Sequence, residues 1–312
     1  MTRPAQIRAK QRPGDRIFSA SALGAGWIIL LVLAAVAAFL IIQSLPALVT
    51  DPAGNPILRG ENFFSYVWPL LFGTLWSAAL ALAMATPLAV GIALFISHYA
   101  PRRLAQGLGY IIDLLAAVPS VVFGLWGGVV LAGAVQPLYS WFEENLNWIP
   151  LFAGPVSATG RTILTASIVL AVMILPIITA ICREVFLQTP VLHEEAALAL
   201  GATRWEMIRM AVFPFARAGI ISGAMLGLGR ALGETMAVAM VLSASGGVTF
   251  NVIGSGNPGT IAANIALQFP EAFGTGVNTL LATGLVLFLV TFLVNAIARY
   301  IVNRRKDFSG AD

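Results

Sequence analysis

Six apolar runs, each long enough to cross a lipid bilayer, constrain the fold of this chain more than any other feature. The runs lie at about residues 23–45, 70–96, 110–135, 163–186, 215–242 and 278–302. A helix needs about 20 apolar residues to cross roughly 30 Å of hydrocarbon, and each run is long enough. Charged residues make up only 10% of the chain, against about 25% in soluble domains, which excludes an ordinary water-soluble fold. The sequence therefore predicts an all-α integral membrane protein with six transmembrane helices.

The distribution of Lys and Arg predicts how these helices are oriented. An even number of spans places both termini on one side, and 15 of the 18 Lys and Arg residues fall there. The other side holds Arg59 and Arg161, and Arg230 lies within a span. By the positive-inside rule, both termini are predicted to be cytoplasmic. The predicted parts are an N-terminal tail at 1–22, one transmembrane domain at 23–303 and a C-terminal tail at 304–312.

A signal peptide is the alternative reading of the first run, since Ala35-Val36-Ala37 imitates a cleavage site. The basic segment and the apolar run that follows it are both long for a signal peptide, so we favour a retained first span.

One cytoplasmic loop, residues 189–214, is a polar, helix-forming segment in this apolar chain. Thr189 is a candidate cap for a first helix, and Gly201 is placed to end it. Thr203 and Glu206 have the spacing of a capping box, which predicts a second helix directly afterwards. The loop is predicted to be the place where the membrane part contacts a soluble partner.

This loop resembles the cytoplasmic loop of ABC-importer permeases, whose pattern is Glu-Ala-Ala, three residues, Gly, nine residues, Ile, any residue, Leu, Pro. The residues that match in register are Glu195, Ala196, Ala197, Gly201 and Pro214. Ala211 and Phe213 stand where Ile and Leu are usual. The resemblance implies a type I ABC importer permease fold in which residues 189–214 form a coupling helix that contacts an ATPase. An ordinary amphipathic hairpin between membrane helices is the alternative.

Two charged residues in the fifth run form a second candidate site. Arg230 and Glu234 are four residues apart, and are predicted to share one helix face with Gly219, Gly223 and Gly227. An Arg at the centre of a span costs about 2.5–3.5 kcal/mol on insertion scales, so it needs a partner or water. Two readings stay open. The pair is either a buried structural ion pair, or a cationic station for an anion in which Glu234 holds Arg230 or marks a gate.

Pro119 and Ser120 form a third candidate site, in the third run. A proline removes a backbone donor and predicts a kink, while serine and nearby glycines permit close packing or a polar pathway lining. Kinked packing alone is the alternative. The stretch 117–127 is similar to the third-span signature of phosphate-specific permeases, and the stretch 227–237 looks like the fifth span of the PstC permeases of bacterial phosphate importers.

The resemblance implies a permease subunit that moves inorganic phosphate across the bacterial cytoplasmic (inner) membrane, without changing it chemically. It implies a second, PstA-like permease subunit, two copies of a PstB-like ATPase and an extracytoplasmic, PstS-like phosphate-binding protein. The chain has no Gly-rich phosphate loop ending in Gly-Lys-Ser or Gly-Lys-Thr, so ATP and Mg are expected to act in the partner ATPase. No cofactor and no nucleic acid are expected for this chain, which contacts membrane lipid.

Several alternatives stay open. Among ABC importers, the alternatives are the paralogous PstA-like subunit and the permease of a molybdate or sulfate importer. A membrane channel or sensor is the alternative outside that class, but it would not need the loop. His98 and His193 lie far apart and lack metal-ligand spacing, so no metal site is expected. The last outer segment, 243–277, is consistent with a helix that dips back into the membrane or with one that lies on its surface.

Overall fold

The computed structural model describes residues 13–49 and 51–306, which fold into a bundle of helices. In chain order these are α1 (Pro13–Val49), α2 (Phe63–Tyr99), α3 (Arg102–Ala116), α4 (Ser120–Leu146), α5 (Ile163–Leu187), α6 (Val191–Ala199), α7 (Arg204–Leu232), α8 (Met236–Val241), α9 (Ile261–Gln268) and α10 (Thr275–Lys306). Short 3-10 turns at Pro52–Gly54 and Phe269–Glu271 complete the helical structure of this part of the chain.

Six of the helices in the described residues are long and apolar enough to cross a membrane: α1, α2, α4, α5, α7 and α10. This confirms the predicted all-α fold with six spans. Because successive spans cross the bundle in opposite directions, its loops gather at two ends. The coupling-loop end carries residues 100–119 and 188–203. The long-loop end carries residues 51–62, 147–162 and 242–274.

The predicted tails lie partly outside the described residues, at 1–12 and 307–312. Where they are described, they are helical. The helix α1 begins at Pro13, well before the predicted boundary at residue 23, and α10 continues to Lys306.

The third predicted span differs from the structure in its bounds. The run at 110–135 is divided between α3, which ends at Ala116, and α4, which begins at Ser120. Pro119 is the reason, because its ring disfavours a helical conformation for Val118 and it has no N–H to donate. Pro119 thus precedes a helix instead of kinking one, and the predicted kink is wrong. The part of the run before the break belongs to an amphipathic helix, α3.

The fifth predicted span, 215–242, also has other bounds. Its helix begins at Arg204 inside the coupling loop, ends at Leu232, and resumes only at Met236. A π-helical turn at Ile208–Val212 precedes Pro214, and closes with a bond from the Phe213 N–H to the Ile208 carbonyl. This wider turn lets the helix continue up to a proline, which lacks the N–H that a regular turn needs.

The core of the bundle lies around α5, which packs against α2 and α7. The helix α2 meets it with small side chains that are fully buried: Ala78, Ala81, Ala85, Ala89 and Ala93. Their three- and four-residue spacing forms one narrow stripe, and small residues in such a stripe let two helix backbones approach closely. The helix α1 packs mainly against α10, at the edge of the bundle.

The segment 242–274 folds back into the long-loop end of the bundle. The Asn257 side chain is fully buried; its oxygen accepts a hydrogen bond from the Ile163 N–H at 3.0 Å. The helix α9 begins with buried residues, and the Ile261 N–H donates to the Thr74 hydroxyl of α2 at 3.0 Å. These contacts anchor the segment to α2 and to the start of α5.

Candidate functional site

The coupling loop, residues 189–214, turns sharply at Gly201. The helix α6 ends there because Gly201 adopts a left-handed conformation, with a φ of 86°. The Gly201 N–H donates to the Leu198 carbonyl at 3.0 Å, and the Ala202 N–H donates to the Ala197 carbonyl at 3.2 Å. These two bonds form a Schellman motif, which needs a left-handed residue at this position. The helix therefore ends at the glycine that the sequence predicts.

A capping box starts the next helix two residues later. The Thr203 hydroxyl accepts from the Glu206 N–H at 3.3 Å, and the Glu206 carboxylate accepts from the Thr203 N–H at 2.8 Å, as the spacing predicts. The predicted cap at Thr189 is wrong, because Pro190 occupies the N-cap position of α6. The Thr189 N–H instead donates to the Phe186 carbonyl, so this residue belongs to the end of α5.

A contact between a histidine and a carboxylate joins the coupling loop to the second span. His98 Nε2 at the end of α2 lies 3.5 Å from a carboxylate oxygen of Glu194, and both side chains are mostly buried. The Ser97 hydroxyl lies 2.6 Å from His98 Nδ1 and fixes the ring from its other side. Sequence reasoning missed this contact, since no local pattern relates residues so far apart in the chain.

The coupling loop presents apolar side chains to its surroundings. We call this surface the coupling-loop patch; it consists of Val191, Leu192, Leu198 and Leu200. Leu200 is 90% exposed at the turn itself. Exposed, contiguous apolar surface marks a site of contact with another protein or with a membrane.

The predicted coupling residues belong to the same loop as this patch. Glu195, Ala196, Gly201 and Pro214 are exposed, while Ala197 is half-buried and packs against the core. The loop is therefore attached to the core of the bundle on one side and exposed on the other.

The two charges of the fifth span are separated by a break in the helix. The helix α7 ends at Leu232, Gly233 follows as its C-cap, and α8 begins at Met236. Glu234 is buried, and its carboxylate accepts the Ala237 N–H at 3.0 Å, which caps α8. The Arg230 side chain is exposed and lies more than 4 Å from that carboxylate. The predicted stacking of Arg230 on Glu234 along one continuous helix is therefore wrong.

The glycines of the fifth span mediate close packing against α5. A Cβ atom at Gly219 would lie 2.4 Å from the Val185 side chain, and one at Gly227 would lie 2.8 Å from Ile178. These residues therefore form part of the predicted close contact. Arg230 does not share it, because its side chain reaches the surface of the chain beyond the end of this interface.

The third and fifth spans meet through two further glycines. A Cβ at Gly124 would lie 2.8 Å from Ala237 Cα, and one at Gly128 would lie 2.8 Å from the Met240 carbonyl. The helix α4 thus rests directly on α8, the short helix that Glu234 caps. Pro119 is exposed at the start of α4 and Ser120 is half-buried. The structure brings the two signature segments together through these glycines, and not through Pro119.

The described residues show no site for a resident metal ion. Within 13–49 and 51–306, no three His, Cys, Asp or Glu side chains come close enough together to hold one. Cys182 is fully buried in α5. The features that stand out are therefore an exposed apolar surface on the coupling loop and a broken membrane helix with an exposed cation.

Comparison with known families supports this description. A family model described as "Binding-protein-dependent transport system inner membrane component" matches residues 85–307. The match begins within α2 and covers every later span, so it includes the coupling loop and the break in the fifth span. The helix α1 lies outside it.

Curated relatives match nearly the whole chain. The chain is 46% identical to the phosphate transport system permease protein PstC 2 of Mycobacterium tuberculosis, over 96% of each chain. It is 43% identical to PstC of Mycobacterium leprae, over 93% of this chain and 94% of that one. It is 40% identical to PstC of Mesorhizobium japonicum, over 95% of this chain and 92% of that one.

A solved structure shares the fold. A chain of the MetNI methionine ABC transporter, in an inward-facing conformation, aligns with a TM-score of 0.51 over 80% of this chain and 95% of that chain. The two are 18% identical, so the likeness concerns the arrangement of helices.

Proposed function

Because the chain belongs to the PstC family of phosphate transport permeases, among the inner membrane components of binding-protein-dependent transport systems, we propose that it carries inorganic phosphate through the bacterial cytoplasmic membrane. It is a transport subunit and not an enzyme. An ABC importer permease implies an ATPase and further subunits, and in this proposal ATP and Mg act in that ATPase.

The coupling-loop patch is the observation that carries the ABC-importer mechanism. Its apolar side chains flank Glu195 and Ala196 in the sequence, and the Schellman turn and capping box fix the angle between the two helices of the loop. We propose that a PstB-like ATPase dimer docks here, so that its movement reaches the bundle along α7 and through the contact of Glu194 with His98. Co-purification of the ATPase with the chain tests this contact.

Phosphate is proposed as the substrate because the similar permeases are named for phosphate transport. The complex would include a PstA-like second permease subunit and a PstS-like binding protein. The deciding experiment is ATP-dependent uptake of radiolabelled phosphate by proteoliposomes that hold the assembled complex. Excess sulfate or molybdate should not compete. If either anion competes as well as unlabelled phosphate, the substrate assignment is wrong.

Arg230 is proposed as a cationic station for the anion. Its guanidinium is exposed on the chain and has no hydrogen bond or ion pair among the described residues, whereas Glu234 is engaged in capping α8. A cation in a membrane span is costly in lipid, so we propose that Arg230 faces a pathway at the contact with the second permease subunit. Its planar fork suits phosphate oxygens. Pro119 and Ser120, at the start of α4, are proposed to line the same pathway.

Three single substitutions and one double substitution distinguish this role from structural pairing. Arg230→Gln should leave the complex intact and nearly abolish uptake, and Arg230→Lys, which keeps the charge without the fork, should lose uptake only in part. Glu234→Gln keeps a capping acceptor and should leave the fold intact. If Arg230→Gln combined with Glu234→Gln restores uptake, the pair is structural after all.

The proposed orientation places the coupling-loop end and both termini in the cytoplasm. Cysteines at the exposed positions Ala53, Asn147 and Ser255, in a Cys182→Ala background, should react with an impermeant thiol reagent in intact cells. A cysteine at the exposed position Gln106 should react only after lysis. Labelling of Gln106→Cys in intact cells would reverse the orientation.

A further inference from the structure

The contact between His98 and Glu194 lies where the second span meets the coupling loop. His98 is in the π-helical last turn of α2, Phe95–Tyr99, and Glu194 is in the first turn of α6. Their side chains are only 10% and 22% exposed, and His98 Nε2 lies 3.5 Å from a carboxylate oxygen of Glu194. Interactions between charges strengthen as water is excluded, so the strength of this contact depends on the charge of the histidine ring.

The other nitrogen of the His98 ring is also engaged. Nδ1 lies 2.6 Å from the Ser97 hydroxyl, and that hydroxyl donates to the Ala93 carbonyl at 2.8 Å. A hydroxyl has only one proton, so while Ser97 donates to Ala93 it can only accept from Nδ1–H. A neutral ring that carries its proton on Nδ1 then turns the lone pair of Nε2 towards the Glu194 carboxylate. Two acceptors that face each other repel.

Protonation of the ring removes this repulsion. The imidazolium carries a proton on each nitrogen, so it can donate to Ser97 through Nδ1 and point Nε2–H towards Glu194. A neutral ring with its proton on Nε2 reaches the same arrangement only if the Ser97 hydroxyl turns away from Ala93. That ring also lacks the positive charge that attracts a carboxylate. For both neutral forms, the contact is therefore weaker than for the charged ring.

Glu194 is the carboxylate that responds most directly to the charge of His98. The helices that pack against this turn of α2 are α3 and α5, and α6 reaches it through Glu194 itself. Their other charged side chains and histidine are Arg102, Arg103 and Asp113 on α3, Arg183 and Glu184 on α5, and His193 and Glu195 on α6. All of these are exposed except Arg183, whose guanidinium packs against Gly109 of α3. The side of the His98 ring that faces α5 meets the uncharged ring of Phe186, with centroids 6.4 Å apart.

We infer that His98 is a positioning residue whose protonated ring holds the coupling loop against the second span, so that ATPase movement reaches the bundle less efficiently as the pH on the coupling-loop side rises. The inference rests on the proposed function. No residue of α6 is buried, so packing holds this helix only weakly and a polar contact to α2 matters for its position. Histidines change their charge between about pH 5 and 8. Because the contact favours the protonated ring, its effect is present at low pH and is lost as the pH rises.

The first test is hydrogen exchange of the α6 amides in the assembled complex, in nanodiscs without nucleotide, at pH 6 and pH 8. Exchange rates are divided by the intrinsic rate at each pH, which leaves the protection that docking of α6 provides. In the parent, protection should be about fivefold higher at pH 6, as expected for one partly screened charged contact. His98→Gln, which stays polar but cannot become charged, should show equal protection at both pH values. Glu194→Gln, which keeps the histidine and removes the carboxylate, should do the same.

His193→Gln is the matched control, because His193 is an exposed histidine beside Glu194 in the same helix. This variant should keep the difference in protection between pH 6 and pH 8. If a simple packing role were correct, His98→Gln would lower protection by the same factor at both pH values. A parental pH difference in His98→Gln, or in Glu194→Gln should the first variant fail to assemble, overturns the inference.

The second test is the number of phosphate ions taken up per ATP hydrolysed, in proteoliposomes with the same pH on both sides. This ratio separates transmission from the effect of pH on the ATPase itself. It should fall severalfold from pH 6 to pH 8 in the parent and should stay at the lower value in His98→Gln. Equal ratios at both pH values in the parent overturn the positioning role. If the parent takes up no phosphate at either pH, the proposed function itself fails, while hydrogen exchange still decides whether the contact of His98 depends on protonation.

Discussion

Substitution of Gly201 tests whether the shape of the coupling loop controls docking of the ATPase. Its φ of 86° lies in the left-handed region, where side chains other than glycine are strained. No atom lies within 4 Å of the position that a Cβ would occupy, so an added Cβ meets no steric clash. The whole effect of a substitution must therefore come from the backbone.

The free-energy cost of a substitution at Gly201 depends on whether the turn keeps its shape or opens, and the two costs are similar. If the turn keeps its shape, a left-handed alanine costs about 1–2 kcal/mol, a β-branched residue more, and asparagine less. If the turn opens instead, the bonds from Gly201 and Ala202 to the end of α6 are lost, at about 0.5–1.5 kcal/mol each. For Gly201→Val the strain of about 2 kcal/mol roughly equals the cost of opening the turn, so the docking geometry falls to about half of the population, and further if the branched side chain costs more.

The assay is the amount of ATPase that co-purifies with each variant, together with phosphate uptake by the reconstituted complex. Both should fall in the order glycine, asparagine, alanine, valine, while membrane insertion stays normal. Ala202→Val adds the same branched side chain one residue later, where φ is not positive, and should retain ATPase. Equal docking by Gly201→Val and wild type, or equal losses in Gly201→Val and Ala202→Val, would refute the conformational argument.

Two further predictions concern packing and the ion pair. Gly219→Ala should lower the melting temperature of the purified complex, since the new methyl group meets Val185 at 2.4 Å. Gly229→Ala, on the same helix but in open space, should leave it unchanged or raise it, because alanine favours helix by about 1 kcal/mol. His98→Leu and Glu194→Gln should each reduce ATP-driven uptake, and a double-mutant cycle for stability should give a coupling of about 0.5–1.5 kcal/mol. If the two substitutions change the free energy of unfolding additively, the 3.5 Å contact between His98 and Glu194 contributes nothing to stability.

The spans were predictable where hydropathy and local capping agree. The fourth span, predicted at 163–186, is found at Ile163–Leu187, because an apolar run coincides with a threonine cap at Thr162. The turn at Gly201 and the capping box at Thr203 were also predictable, since each depends on residues only a few positions apart. Local chemistry alone decides such features.

The features that were predicted wrongly depend on competition between local signals. Hydropathy sums over a window, so it merged α3 with α4 although Pro119 separates them. In the fifth span it merged α7 with α8, because it is insensitive to Gly233 and to a carboxylate that caps the following helix. The contact of His98 with Glu194 could not be predicted from local signals, since it arises from tertiary packing.

The break in the fifth span explains why Arg230 and Glu234 have different environments although they are four residues apart. A continuous helix would hold both on one face and let each charge neutralise the other. Ending α7 at Leu232 gives Glu234 a backbone N–H to bind, so its burial is compensated without Arg230. Arg230 then remains exposed in a segment that composition assigns to the membrane, where lipid contact would be costly. In the proposed function this cation meets a group outside the chain, namely an anion in the pathway between two permease subunits.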